Sequence, residues 1–167
     1  NSRTPVKVMG DLNALIGATG VGANRLNDMA ARWGLEEISA SAEELIRYTD
    51  LLMRQGIERI PDGQYKGSFR IDDDGIDSSR DYIVRVEVRV AGNKVAVDFN
   101  STDPQARGPI NAAYSQAMSG VVYAVRCFLD PSIPMNEGCF TPIEMNLPLG
   151  TLVNPRPPAP CNARMAT

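Results

Sequence analysis

The chain has 167 residues and a formal net charge of −3, with 43% hydrophobic and 22% charged residues, which is ordinary for one globular domain. The small charge gives no electrostatic case for a nucleic-acid partner, and the apolar runs are too short to cross a bilayer. The chain lacks histidine and has only three cysteines, without a CxxC pair, which argues against a zinc centre and His-dependent catalysis. We expect free thiols in a reducing cytoplasm.

The first stretch predicts two helices. Apolar residues recur at helical spacing from Pro5, which suits the first position of a helix. A second helix begins at Leu35 or at a capping box that starts at Ser41, and it runs to Ile60. We expect the two helices to form an antiparallel helical hairpin over residues 1–61.

Strand patterns follow the helices. Gln64–Ile71 reads as one strand, and Ile83–Val90 alternates polar with apolar residues. Gly92-Asn93 breaks that run, and Val95–Phe99 resumes the period of two, so the sequence predicts a hairpin with one wet and one dry face. Phe140–Leu147 is a further candidate strand.

After the hairpin the apolar period lengthens to three or four residues, and Tyr114–Leu129 is predicted to be a helix. Prolines then interrupt short extended pieces and end in a strap, Asn154–Pro160, which we expect to be rigid. The predicted fold is α+β: a helical hairpin over residues 1–61, then a body over residues 62–167. That body has a mostly antiparallel sheet, one central helix and the proline-rich C-terminal strap.

A polar link, Asn100–Asn111, joins the hairpin to the helix. A turn-rich link between a buried strand and a buried helix is where functional residues are expected. The carboxylates of Asp72–Asp77 lack the spacing of an EF-hand, so we favour an exposed turn over a calcium site. The glycines of Gly17–Gly22 follow no strand and precede no lysine, so we expect no nucleotide site there.

The residues at the two ends of the sequence resemble those of an internal segment. The chain begins at Asn1 without a methionine, and its last residues do not taper into a charged tail. We therefore expect these residues to be part of a longer polypeptide.

Several motifs in one order resemble a known family. They are Ser2–Pro5 with Gly10–Leu12, Asp72–Gly75, Asp98–Asn100, Arg107–Ala112, Arg126–Pro131, Pro134–Phe140 and Gly150–Ala159. Together they resemble the hydantoinase B/oxoprolinase family over nearly the whole chain. Each motif alone is weak, and the set is specific.

The resemblance implies a segment of the B-type subunit of an ATP-dependent hydantoinase or 5-oxoprolinase, an enzyme that opens cyclic amide rings. It implies an ATP-binding A-type partner subunit or domain, an oligomer, and a divalent metal held by the remainder of the B-type subunit. No membrane is implied. Pro160–Arg164 departs from the glycine-rich Asn-x-Glu pattern of hydantoinases, so a ketone carboxylase subunit stays open. A third reading is a scaffold module without activity in isolation.

Four residues are candidates for the chemistry that the family implies. Arg107 and Arg156 suit a phosphate or a developing oxyanion, and Asn111 and Asn162 suit the positioning of an amide or carbonyl. For each arginine the alternative is a surface ion pair or a cap on a backbone carbonyl. For the strap, the alternatives are a cover over the core or a fixed loop that presents Asn154 and Arg156. No cofactor or metal ligand is assigned to this segment.

Overall fold

The structure, a computed structural model, describes residues 4–161. The helices within these residues are α1 (Pro5–Trp33), α2 (Leu35–Ile57) and α3 (Tyr114–Arg126). The strands are β1 (Gly63–Ile71), β2 (Tyr82–Ala91), β3 (Lys94–Asp98) and β4 (Ile143–Asn146), and they form one sheet in the order β1-β2-β3-β4. The first two strand pairings are antiparallel and the last is parallel, which confirms the α+β class and the mostly antiparallel sheet.

The chain divides into two compact units, one that ends at Leu45 and one that begins at Ile46. In the first unit, α1 starts with proline at its first turn and ends at Gly34, whose φ of 83° stops the helix. Both predicted helices are confirmed. However, α1 has no buried residue, so the packed seam expected of a helical hairpin is not formed along it.

The physical reason lies in the link between the helices. Gly34 alone separates α1 from α2, whereas a helical hairpin uses a loop of about two to five residues to reverse the chain. The apolar stripe of α1 is therefore left bare, with Leu15 and Ile16 more than 60% exposed. The division into domains at residues 61 and 62 stays a prediction.

In the second unit the sheet has one apolar and one polar face. Antiparallel partners point to the same side, so Phe69 lies beside Val84, and Val88 beside Val97, on the apolar face. The opposite face carries alternating charges, among them an ion pair between Lys66 and Glu87. This confirms the wet and dry faces that the period of two predicts.

The core lies between the apolar face of the sheet and two helices. Met53 and Ile57 come from the end of α2, and Val122 comes from α3; all three are fully buried. They pack with Val95 and Val97 of β3. At about 25 cal/mol per Å² of buried apolar surface, such side chains provide the main stabilisation of this unit.

The segment after α3 packs directly on the backbone of α2. The side chain of Asn136 accepts a hydrogen bond from the N–H of Gly138 and donates one to Oγ1 of Thr49 at 2.8 Å. A Cβ atom at Gly138 would lie 2.3 Å from the carbonyl oxygen of Ile46, so only glycine fits there. This approach brings the chain from α3 back to β4, which pairs in parallel with β3 because α3 lies in the crossover.

Candidate functional site

The link (residues 100–111) continues the sheet beside β2 after β3 has ended. Asp103 donates its N–H to the carbonyl of Ile83 at 3.0 Å, and its carboxylate accepts the N–H of Ile83 at 2.9 Å. The same carboxylate binds the guanidinium of Arg85 at 2.7 Å. Oγ1 of Thr102 accepts the N–H of Arg85 and donates to its carbonyl. Beyond the end of β3, the side chains of Thr102 and Asp103 thus make the hydrogen bonds to the backbone of β2 that a paired strand would make.

Asp103 is ionised by this arrangement. Burial raises the pKa of its carboxyl group, but the hydrogen bonds from Arg85 and from the N–H of Ile83 outweigh burial and lower the pKa overall. The negative charge that holds the start of the link is therefore present at neutral pH.

The C-terminal segment (residues 147–161), which contains the strap, lies along the link. The N–H of Gln105 donates to the carbonyl of Gly150 at 2.9 Å, and the N–H of Ala112 donates to the carbonyl of Leu152 at 2.7 Å. Leu152 is fully buried. The side-chain amide of Gln105 bonds both backbone groups of Arg156, accepting from its N–H at 2.7 Å and donating to its carbonyl at 3.4 Å. The sequence motifs at 107–111 and 154–158 are therefore neighbours.

A third segment, the acidic loop (residues 72–77), is attached to the link through Asp74. One carboxylate oxygen of Asp74 accepts the N–H groups of Ile76 and Asp77, and the other accepts the N–H of Gly108 at 2.9 Å and the hydroxyl of Tyr82 at 3.1 Å. A Cβ atom at Gly108 would lie 1.8 Å from the carbonyl oxygen of Asp74. Position 108 must therefore be glycine for the two loops to meet.

The four donors determine the charge of Asp74. The N–H of Asp77 is the largest cause, and with the N–H groups of Gly108 and Ile76 and the Tyr82 hydroxyl it holds the pKa of this carboxyl far below its usual range, although burial acts in the opposite direction. The interpretation of 72–77 as an exposed turn is wrong for Asp74, which is 2% exposed. A local signal did exist, since an Asp that bonds the N–H groups two and three residues later forms an Asx turn.

Asn111 is buried, and its amide is directed at the backbone. Its oxygen accepts the N–H of Ala106 at 2.8 Å, and its nitrogen donates to the carbonyls of Ala106, Gly108 and Pro160 at 2.9 to 3.1 Å. In this structure Asn111 fastens the turn of the link to the C-terminal segment. Its predicted contact with a substrate amide stays a prediction.

Arg107 and Arg156 are both exposed, on two loops that are bonded to each other. Neither guanidinium group has a hydrogen bond or an ion pair with another residue in the described range 4–161. Nε of Arg156 lies over Gly150, where a Cβ atom would come within 3.3 Å of it. Asn162, the fourth predicted site residue, lies outside the described residues.

The arrangement suits anion binding at a fixed place. Buried groups (Asp74, Asn111 and Leu152) hold the loops, while the guanidinium heads remain exposed. Each guanidinium can donate two parallel N–H bonds to a carboxylate or phosphate. Sequence reasoning named both arginines and missed the residues that position them: Asp74, Gln105 and Gly108.

A metal centre would need a cluster of ligands, and the part of the chain that the structure describes does not provide one. Between residues 4 and 161 no group of three or more Cys, Asp or Glu side chains is arranged to hold an ion. Among the same residues, no helix has the length and apolar character that crossing a bilayer requires.

Comparison with known proteins supplies the family. The model of the family described as hydantoinase B/oxoprolinase matches residues 1–167. A protein of Pseudomonas sp. (strain NS671), provisionally named as the B subunit of a D-/L-hydantoinase, is 34% identical over 98% of this chain and 29% of its own length. The beta subunit of the caprolactamase of Pseudomonas jessenii is 32% identical over 96% of this chain and 27% of its own length.

Solved structures show the same fold. The crystal structure of the ATP-dependent caprolactamase from Pseudomonas jessenii matches 92% of this chain and 26% of its own chain, with a TM-score of 0.79 and 32% identity. A nucleotide-free acetone carboxylase matches 81% of this chain with a TM-score of 0.68; at 21% identity it shows the fold alone. The chain spans between a quarter and a third of the hydantoinase and caprolactamase relatives and a fifth of the acetone carboxylase chain, and it belongs to the hydantoinase B/oxoprolinase family.

Proposed function

We propose that the chain is a segment of the B-type subunit of an ATP-dependent enzyme that hydrolyses cyclic amides. The observation that carries the proposal is the agreement in both sequence and fold with a caprolactamase, at 32% identity and a TM-score of 0.79. The relatives named hydantoinase, caprolactamase and 5-oxoprolinase share the chemistry of a ring amide. We expect the subunit to act in the cytoplasm.

In this proposal ATP is used by an A-type partner subunit or domain, which activates the carbonyl oxygen of the ring by phosphorylation. Attack by water then places negative charge on oxygen, and donors that are already in position stabilise such charge best. Arg107 and Arg156 are the proposed donors for the phosphoryl group or the oxyanion. The hydrogen bonds between the link and the C-terminal segment hold their backbones in place, so little reorganisation accompanies the reaction.

Asn111 and Asn162 complete the proposed set. For Asn111 the proposed effect is indirect, because its amide bonds the backbone on both sides of Arg107, at Ala106 and Gly108. In this proposal Asn111 positions the arginine, and its contact with a substrate amide stays a prediction. Asn162 is proposed from residue type and from its place directly after the C-terminal segment.

We propose that a divalent metal, where the family uses one, is held by the remainder of the B-type subunit. The whole chain contains no histidine, and residues 4–161 offer no cluster of three or more potential ligands. No step of the proposal is therefore assigned to a metal bound by this segment.

We also propose that the bare stripe of α1 packs against the remainder of the same subunit. The stripe includes Leu12, Leu15 and Trp33, each 47% to 64% exposed. A contiguous apolar surface of this kind marks an interaction site. The relatives provide more than two thirds of their length outside the matched region, so the rest of the subunit is the occupant with enough chain to cover the stripe.

Two alternatives remain distinct from this proposal. A ketone carboxylase subunit is favoured by the shared fold with acetone carboxylase and by the C-terminal departure from the hydantoinase pattern. A scaffold without chemistry of its own is favoured by the absence of histidine and by the absence of a ligand cluster among the described residues.

One assay separates the three. The full-length subunit is co-purified with its A-type partner, and ADP release is followed with hydantoin, 5-oxoproline, caprolactam or acetone, each with and without bicarbonate. The proposal predicts ADP release and ring opening with a cyclic amide, independent of bicarbonate. Turnover of acetone that requires bicarbonate would select the carboxylase. Turnover that is unchanged in both Arg107→Ala and Arg156→Ala would select the scaffold.

A further inference from the structure

β1 forms an open edge of the sheet. Among the described residues it pairs with β2 alone, and it is nine residues long. An exposed edge strand presents a row of unused N–H and C=O groups, which proteins normally cover, twist away or interrupt. No bulge interrupts the register from Gly63 to Ile71.

The register shows which residues point outward. The N–H of Val95 donates to the carbonyl of Pro142 on the β4 side, so Lys94, Ala96 and Asp98 bond β2. The alternation then assigns the odd-numbered residues of β1 to the ladder with β2. The backbone groups of Gln64, Lys66, Ser68 and Arg70 therefore face outward along the edge.

Among residues 4–161, the apolar face of the sheet is only partly covered where it reaches this edge. Tyr65 is 44% exposed and Phe69 is 59% exposed, and Val84 and Val86 beside them are only partly buried. On the polar face, Lys66 pairs with Glu87, and Arg70 pairs with Asp81 at 2.9 Å. The edge thus combines free backbone groups, aromatic side chains and partly neutralised charges.

We propose that β1 pairs antiparallel with β1 of a second copy of the chain, about a two-fold axis at Gly67. This register sets Lys66 opposite Ser68 of the second copy and Gln64 opposite its Arg70. It also sets Tyr65 opposite the Phe69 of the second copy on the apolar face, twice by symmetry. Two four-stranded sheets become one sheet of eight strands.

Charge selects this register over its neighbours. Outward-facing residues stay opposite outward-facing residues when the axis moves along β1, and the two registers that keep most of the strand paired have the axis at Lys66 or at Ser68. An axis at Lys66 sets the two copies of Lys66 opposite each other, and an axis at Ser68 sets Lys66 opposite Arg70. Like charges directly opposite are destabilising, so the axis at Gly67 is favoured.

Glycine suits the position on the axis. In this register the two copies of Gly67 form a pair without mutual hydrogen bonds, in which the backbones approach most closely. A glycine inside a strand often marks such an approach. Within its own chain, a Cβ atom at position 67 would meet only Val86, at 3.4 Å, so packing inside the monomer does not require glycine there.

Sedimentation equilibrium on the purified chain, and then on the full-length subunit, tests the proposal. Lys66→Pro removes an outward N–H that β2 does not use, and we expect it to abolish the dimer while circular dichroism stays unchanged. Lys66→Thr is the matched control: it removes the charge and keeps the N–H, and the dimer persists. A strand from elsewhere in the subunit that covers the edge would make the full-length protein insensitive to Lys66→Pro, which overturns the proposal.

A pair of variants at one position gives an independent check. Ser68→Glu sets a carboxylate opposite Lys66 of the second copy and should tighten dimerisation about fivefold, whereas Ser68→Lys should weaken it about fivefold. A monomer at all concentrations, or two variants that shift the dimer constant in the same direction, would overturn the proposal.

Discussion

α1 and the joined loops (the link, the C-terminal segment and the acidic loop) differ in how each is held in place. The 29 residues of α1 bury none of their side chains, and its glycines at 17, 20 and 22 have open space around them. The joined loops contain almost no regular structure, yet Asp74, Asn111 and Leu152 are buried within them and bond or pack against other segments. Regular structure and structural constraint are therefore separate properties in this chain.

The difference shows which region finds its packing and hydrogen-bond partners among the described residues. The joined loops are complete among the described residues, because their buried polar side chains find partners there. The stripe of α1 is not complete, since its apolar side chains are left in water. Fixed loops with exposed guanidinium heads are suited to bind a ligand, and a bare stripe is suited to bind protein.

Replacing a leucine by alanine should give the largest difference in the free energy of unfolding between the two regions. Leu152→Ala should lower the free energy of unfolding by about 2–5 kcal/mol, because it opens a cavity beneath the C-terminal segment. Leu12→Ala on α1 should change it by less than about 0.5 kcal/mol, because that side chain is 47% exposed. Urea unfolding of the two variants measures the difference, and equal losses would contradict the comparison.

Replacing a glycine by alanine should change the stability in opposite directions in the two regions. Gly108→Ala forces the link away from the acidic loop and should destabilise the chain by about 1–3 kcal/mol. Gly20→Ala has open space and should stabilise α1 by up to about 1 kcal/mol, since alanine is the better helix former. Thermal unfolding followed by circular dichroism gives both values. A stabilising effect of Gly108→Ala would show that the two loops do not meet as described.

Loss of the Asn111 amide should lower the free energy of unfolding nearly as much. Asn111→Ala leaves the N–H of Ala106 buried without its partner, and we expect a loss of about 1–3 kcal/mol. Asn24→Ala, on an exposed position of α1, is the matched control and should be close to neutral. If both substitutions are neutral, Asn111 does not fasten the link.

A smaller effect is expected from pH, through Asp74. Its folded pKa lies below the unfolded value of about 3.9, so its stabilisation is complete above that value and is lost as the pH falls through the folded pKa. Unfolding temperatures measured from pH 7 down to pH 2 should therefore fall in acid, and Asp74→Asn should start lower and fall less. A variant whose acid-side slope matches the native chain would assign the loss to other carboxylates.

Local periodicity was sufficient for the regular elements. The spacing of three and four predicted α1 to α3, and the period of two predicted β2, β3 and the polarity of the sheet. The ends of the elements were predicted less accurately. α3 ends at Arg126 rather than at Leu129, because the last turns tighten where the chain leaves the helix.

Contacts between distant segments could not be read from patterns. Asp74 looked like one of several exposed carboxylates, and its burial depends on Gly108, which is 34 residues away in the chain. Asn111 was predicted to be a site residue because of its amide group. In this structure that amide bonds backbone carbonyls and a backbone N–H. The sequence also did not show that α1 buries none of its residues, or that Gly34 alone separates it from α2 where a helical hairpin uses a loop of about two to five residues.

The most direct test of the central claim, that the joined loops carry chemistry, is turnover by the assembled full-length enzyme with a cyclic amide. Arg107→Ala and Arg156→Ala should each lower kcat by about 100-fold or more, as expected when a donor to a developing oxyanion is lost, with the unfolding temperature unchanged. Arg89→Ala, at an exposed position on the polar face of the sheet, should leave kcat unchanged. Native turnover in both Arg107→Ala and Arg156→Ala would contradict the claim.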